Sequence, residues 1–322
     1  MTEERTHMTG LKSMLVALGG NAILRHKERG TAEEQFQNIG ETAKQMVGLI
    51  KDGYRIALTH GNGPQVGDIL LKNEIAKATL PPMPLDVCGA ESQGFIGYML
   101  QQCIDVELKL AGFDIPTQTI LTQTLVDKGD PAFEKPAKPI GPFYTAMEAS
   151  KLREEKGWTV VNDSGRGYRR VVPSPRPIAM VEARAIKDLY DHGFIVIASG
   201  GGGIPVVSDK KGLLHGVEAV IDKDHSAAVF AKVIGAETLL ILTDVERVAL
   251  DYGRPNQQDI SEMDVESAKR YMSDGHFAPG SMYPKVESAV QFVESGGKEA
   301  IITSIERCRD AAKGGAGTVI HG

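Results

Sequence analysis

The chain has 322 residues, 42% of them hydrophobic, and a formal net charge of -6; its length exceeds a typical single domain and leaves one large domain or two joined lobes open. The acidic balance, with a sequence pI near 5.8, excludes a general electrostatic grip on nucleic acid or an anionic membrane. No apolar run is long enough to span a bilayer, and the three scattered cysteines, Cys88, Cys103 and Cys308, frame neither a disulfide set nor a zinc site and fit a reducing cytoplasm.

In chain order, residues 1–12 predict a flexible lead-in without the apolar core of an export signal. The apolar residues 14–18 predict a buried strand that ends at Gly19-Gly20-Asn21. Thr31 and Glu34 form a capping-box signature for a helix reaching Ile50. A second strand at 55–59 runs into His60-Gly61-Asn62-Gly63-Pro64 and a helix over 65–78. A proline-bounded connection at 81–84 leads to a long helix at 89–110 and a strand at 115–121, the alternation of an α/β sheet. Between 124 and 177 proline, glycine and charge break the pattern, with one helical stretch at 146–155, so an inserted subdomain is expected there. The strand at 194–198 opens onto Gly200-Gly201-Gly202-Gly203, and a hairpin is expected over 204–217. Asp222 reads as the cap of a helix to Ile234, and the strand at 238–242 ends in Thr243-Asp244. Helices at 264–272 and 285–294, a strand at 300–303, a short helix and a strand at 318–320 complete the chain.

Three glycine clusters thus follow predicted strands. Each alone reads as a tight turn, but three at the carboxyl edge of one parallel sheet point to a ligand site whose backbone N–H groups surround an anion. The common nucleotide fingerprints are absent: Gly61-x-Gly63 has its next glycine at Gly67, one residue late, and Gly297-Lys298 has Phe292 where a P-loop needs glycine. No H-R-D catalytic loop and no G-x-S-x-G occurs, and the eight histidines show no metal-ligand spacing. Lys223, in Val220-Ile221-Asp222-Lys223-Asp224, sits in the first turn of a helix, where a cation opposes the helix dipole unless an anion is present; Asp224 beside it either holds the ammonium or is ordinary helix-start composition. Lys285 follows the turn Pro279-Gly280-Ser281-Met282-Tyr283-Pro284, and Lys138 lies between prolines; each alone is equally a solvated surface lysine. Asp244 is at the ligand edge but serves as well as a cap, and the basic patch 165–170 is too short to bind nucleic acid.

Taken together, Ala17-Leu18-Gly19-Gly20-Asn21-Ala22, the stretches 59–67 and 83–89, Ser92-Gln93-Gly94, Lys138-Pro139-Ile140-Gly141, Val171-Val172-Pro173-Ser174-Pro175, and the stretches 220–224 and 275–285 resemble the carbamate kinases of the amino-acid kinase fold. Ala137 and Glu91 depart from the pattern without touching a proposed role. The resemblance implies a three-layer αβα sandwich around an eight-stranded, mostly parallel sheet, with a protruding lid subdomain. It implies an N-terminal lobe (13–217) for carbamate or carbamoyl phosphate, carrying the lid at about 124–177, and a C-terminal nucleotide lobe (218–322). By similarity, Gly19, Gly20, Asn21, Gly61, Asn62, Gly63, Gly201, Gly202 and Gly203 line the substrate side; Lys138 reaches in from the lid; Lys223 and Lys285 carry the phosphoryl group and Asp224 orients them; Thr243, Asp244 and Met282, with Lys223 and Lys285, lie beside the nucleotide. The implied reaction is ATP plus carbamate to ADP plus carbamoyl phosphate, run toward ATP in arginine or citrulline breakdown, with Mg²⁺ on the nucleotide and no protein metal ligand, in a cytoplasmic homodimer. Another carboxylate-phosphorylating kinase, or a non-catalytic sensor on the same fold, is the alternative.

Overall fold

The computed structural model describes residues 11–25, 27–163 and 167–322, so the predicted lead-in, apart from residues 11 and 12, and the start of the basic patch lie outside the described residues. Eight strands form the central sheet in the order Glu262–Asp264, Thr318–His321, Glu299–Ser304, Thr238–Thr243, Lys12–Leu18, Tyr54–His60, Ile195–Ile197, Thr117–Thr119. Neighbours run parallel except Glu299–Ser304 with Thr318–His321. The first strand pairs with Tyr54–His60 on one side and Thr238–Thr243 on the other, so the sheet runs unbroken between the two halves of the chain.

Residues 14–18 of the strand Lys12–Leu18 read as an unbroken apolar run because both faces are buried there, while Lys12 is exposed and Ser13 partly so. Leu15 and Ala17 face a core shared with Phe230, Val286 and Phe292, from the helices Lys223–Ile234 and Met282–Glu294. Met14, Val16 and Leu18 face a second core with Ile39, Met46, Leu100 and Ile104, from the helices Ala32–Lys51 and Leu85–Ala111. This is the expected three-layer αβα sandwich with a mostly parallel centre. Thr31 and Glu34 close the reciprocal capping box at the start of Ala32–Lys51.

Several elements differ from their sequence reading. The long helix starts at Leu85, directly after Pro84, four residues before Gly89. Its apolar residues Ile96, Met99, Leu100 and Ile104 are all buried inside this chain and Phe95 packs beside them, leaving Tyr98, Val106 and Leu110 exposed. The insertion is regular: Lys138–Tyr144, Tyr168–Val172 and Val160–Asn162 form a three-stranded antiparallel sheet beside the helix Ala146–Lys156. Its ends, Gln123–Val126 and Pro177–Met180, join Ile204–Ser208 and Leu214–Gly216 in a separate four-stranded sheet. A helix at Ala183–Asp191, unread in the sequence, buries Ile186 and Tyr190 one turn apart.

Candidate active site

Chain crossovers leave the strand Lys12–Leu18 in opposite directions: Tyr54–His60 lies on one side and Thr238–Thr243 on the other. Such a switch point opens a crevice at the carboxyl ends of the strands, where α/β sheets bind ligands. Gly19-Gly20-Asn21 leaves one strand there and Thr243-Asp244 the other, and the two are tied by Asn21 Nδ2 donating to Asp244 Oδ1 at 2.6 Å. Gly20 opens a single 3₁₀ turn, Gly20–Ala22, whose first N–H groups have no carbonyl inside the turn to bond.

Asn62 precedes the helix Gly63–Ala76, and its amide donates to Ser92 Oγ (2.8 Å), which itself donates to the Gly89 carbonyl (2.7 Å). Gly61 faces the catalytic candidates: a methyl group there would lie 3.6 Å from the stem of Lys223 and 3.8 Å from Gly20 N. His60 is fully buried, and its Nδ1 lies 2.9 Å from the Gly61 carbonyl, which fixes that nitrogen as the donor. Burial pushes its pKa down to about 4, so the ring is neutral at physiological pH.

The glycines at 200–203 form a tight turn between the strands at 195–197 and 204–208. Gly201 and Gly202 both have positive φ; a β-carbon would meet Asn62 Nδ2 at 2.1 Å from the first and the Ile221 carbonyl at 2.5 Å from the second. The N–H groups of Gly202 and Gly203 are engaged within the turn, by Ser199 and Gly200 carbonyls at 3.0 and 3.1 Å. The Gly202 carbonyl accepts from Thr124 Oγ1 and Ser226 Oγ. Gly202 thus packs against Ile221 and Gly203 against Thr124, with both N–H groups occupied inside the turn.

The centre of the site is the first turn of the helix Lys223–Ile234. Asp222 caps it, with Oδ1 accepting from Asp224 N at 2.9 Å. Its other oxygen accepts from Lys138 Nζ at 2.8 Å, from the first residue of the strand Lys138–Tyr144 in the inserted segment. Asp224 is buried, accepts from Lys223 Nζ through Oδ1 at 2.5 Å and from Lys285 Nζ through Oδ2 at 2.9 Å. Lys285 stands in the first turn of Met282–Glu294, beside Met282 at its start. Three ammoniums from three separate segments thus converge on two carboxylates, leaving one positive charge over at this centre.

Burial opposes ionisation of Asp224, yet the adjacent Lys223 and Lys285 charges hold its carboxyl well below the usual carboxylate range. Burial pushes the Lys223 ammonium down, and neighbouring Lys285 adds to the effect although Asp224 counters it. Lys285 is buried too, but the charge and hydrogen bond of Asp224, with Asp222 and Asp244 adding, hold its pKa up.

The structure brings together Lys138, Lys223, Asp224 and Lys285, with Gly19, Gly20, Asn21, Gly61, Asn62, Gly63 and the 200–203 turn around them and Thr243, Asp244 and Met282 at the neighbouring strand and helix ends. Asp222, expected as a helix cap, also binds Lys138, and the aspartate at each end of Asp222-Lys223-Asp224 is the sign of that second task in the sequence. Among the described residues no three acidic, histidine or cysteine side chains gather in metal-binding array. Also among them, no helix is long and apolar enough to cross a membrane.

The amino acid kinase family profile matches residues 12–304. The carbamate kinase of Thermococcus kodakarensis is 51% identical over 96% of this chain and 99% of its own length. That of Clostridium perfringens is 49% identical over 95% and 99%. The structure of carbamate kinase from Giardia lamblia bound to AMP-PNP superposes with a TM-score of 0.91 at 44% identity, covering 97% of this chain and 99% of that one. The chain belongs to the amino acid kinase family, among its carbamate kinases.

Proposed function

We propose that this enzyme transfers a phosphoryl group reversibly between ATP and carbamate, giving ADP and carbamoyl phosphate. The observation that carries the reading is the convergence of Lys138, Lys223 and Lys285 on Asp222 and Asp224 at a sheet switch point. Carbamate is already an oxyanion and needs no general base. One of its oxygens forms the new bond to the γ-phosphorus as the bond to the β,γ-bridging oxygen breaks, and ADP leaves with that electron pair. What remains for the protein is alignment and neutralisation of the charge on the moving group. The lysines exchange their aspartate partners for phosphoryl oxygens.

The residues fit a metal carried by the nucleotide: Asp222 and Asp224 are both occupied by lysines, and Mg²⁺ prefers phosphate oxygens with retained water. Bound there, Mg²⁺ would neutralise charge between the β- and γ-phosphates. The lobe at 13–217, covered by the lid, is assigned to carbamate or carbamoyl phosphate, with Gly19, Gly20, Asn21, Gly61, Asn62 and Gly63 as its floor. The lobe at 218–322, with Thr243, Asp244 and Met282, is assigned to the nucleotide; that a nucleotide binds at all is supported by the AMP-PNP bound to the Giardia relative. A cytoplasmic place, ATP-forming flux in arginine breakdown and a homodimer complete the proposal. The exposed Tyr98, Val106 and Leu110 on the long helix support the dimer, and light scattering at micromolar concentration should give twice the chain mass.

A coupled assay tests the reaction. ADP with carbamoyl phosphate should yield ATP, while ATP with N-acetylglutamate or glutamate should yield no ADP above background. The reverse pattern would move the enzyme to another carboxylate kinase.

A further inference from the structure

The stretch Val171-Val172-Pro173-Ser174-Pro175-Arg176 returns the chain from the lid, and the site as described leaves it without a task. Val172 pairs with Lys138 across the lid ladder. The next carbonyl, of Pro173, accepts from Val220 N at 3.0 Å, two residues before Asp222. Arg176 N donates to Asp130 Oδ2 at 2.9 Å, which pins the backbone. Its side chain then leaves the lid root: Nη2 donates to Glu287 Oε1 at 2.8 Å and Nη1 lies 2.6 Å from His225 Nε2. His225 Nε2 lies 2.7 Å from Glu287 Oε2. A ring nitrogen carries either a proton or a lone pair, so Nε2 cannot accept from Arg176 and donate to Glu287 together. With the proton on Nε2, His225 and Arg176 Nη2 both donate to Glu287, which becomes the shared centre of the cluster, and the Nη1–Nε2 approach is then not a hydrogen bond.

The positions of these residues are telling. His225 follows Lys223 by two residues on one helix, and Glu287 follows Lys285 by two residues on the other. Asp224 draws the two ammoniums together only while no phosphoryl group competes for them. When the lysines turn to substrate, a second link must hold their helices at a fixed separation, and that link must not itself bind the anion. The Arg176–Glu287–His225 cluster joins the same two helix starts and also anchors the lid strand that carries Lys138.

We propose that Arg176 is a positioning residue, which by gripping Glu287 beside His225 fixes Lys223 against Lys285 and sets the lid root that presents Lys138. The inference rests on the phosphoryl-transfer reading. The Arg176 side chain is 50% exposed, and exposed ion pairs contribute little to stability, so its loss should register in turnover and hardly in melting.

The test uses Arg176→Met, Glu287→Gln, their double variant and Arg176→Lys, assayed for ATP formation from ADP and carbamoyl phosphate. Each of the first two should lower kcat by about 10- to 100-fold, the scale of small misplacements of reacting groups. KM for ADP should stay within about threefold and the melting temperature within a few degrees. The double variant should be no more than about twofold below the poorer single, because both remove one link, and Arg176→Lys should recover part of the loss. Wild-type turnover in Arg176→Met, multiplying losses in the double, or a parallel fall in melting temperature and ADP affinity would each overturn the inference while leaving the reaction intact. A wild-type enzyme that forms no ATP would remove the underlying reading and the inference with it.

Discussion

Asp224 is the residue on which most of the site's electrostatics turn, since it is buried and bonded to two ammoniums. Removing one partner of a buried ion pair typically costs about 3–5 kcal/mol. Asp224→Asn should therefore lose stability on that scale in urea, and sulfate should restore more of it than in the wild type, because an anion can replace the missing charge. Lys223→Ala and Lys285→Ala should each lower kcat by about two to three orders of magnitude, the range seen when one transition-state donor is lost, with the circular dichroism spectrum unchanged. His60 gives a pH signature. Its folded pKa lies near 4, below the ordinary value of 6.5, so the unfolded chain binds the extra proton first. Stability is then whole above about pH 6.5 and falls as pH drops toward 4, by about 3 kcal/mol at roughly 1.4 kcal/mol per unit. Urea midpoints from pH 7 to 4.5 should fall, and fall less in His60→Gln.

Among the elements, the strand Lys138–Tyr144 has the most separable role, because its lysine reaches the centre from outside the main sheet. Lys138→Ala should abolish or strongly slow turnover while calorimetric ADP affinity, without the second substrate, stays near wild type; a large drop in ADP affinity would argue that the lid lysine also serves the nucleotide. Local order was legible in the sequence wherever a short-range rule governs it. The Thr31–Glu34 capping box and the Asp222 cap appear as read, since each joins groups two or three residues apart. The convergence of Lys138 on Asp222 joins residues 84 apart, and the Arg176–Glu287 pair joins residues 111 apart, so no local pattern shows either. The lid sheet escaped notice because its strands are only half buried and interrupted by Pro139, Pro142 and the Arg169-Arg170 pair, which blurs the two-residue alternation. The helix Ala183–Asp191 is short and lacks a side-chain cap, but Ala183, Ile186, Leu189 and Tyr190 at helical spacing turn to one core, so this element was legible in the sequence.

Across the whole molecule, the strand Lys12–Leu18 is the shared middle of both halves, paired in register over four residues with Thr238–Thr243 and seven with Tyr54–His60. Lobes joined through a common central strand should not melt separately. Calorimetry of the free enzyme is expected to show one transition with matching calorimetric and van't Hoff enthalpies, whereas two resolved transitions would place a cooperative boundary through the sheet. The same arrangement sets a problem for the ribosome. The first strand emerges early, but the partner for one of its edges is made more than two hundred residues later. At about 5–20 residues per second, the nascent chain holds a strand whose residues 14–18 are all apolar with an unmatched edge for roughly ten to forty seconds, an interval in which that edge is open to pairing with another chain.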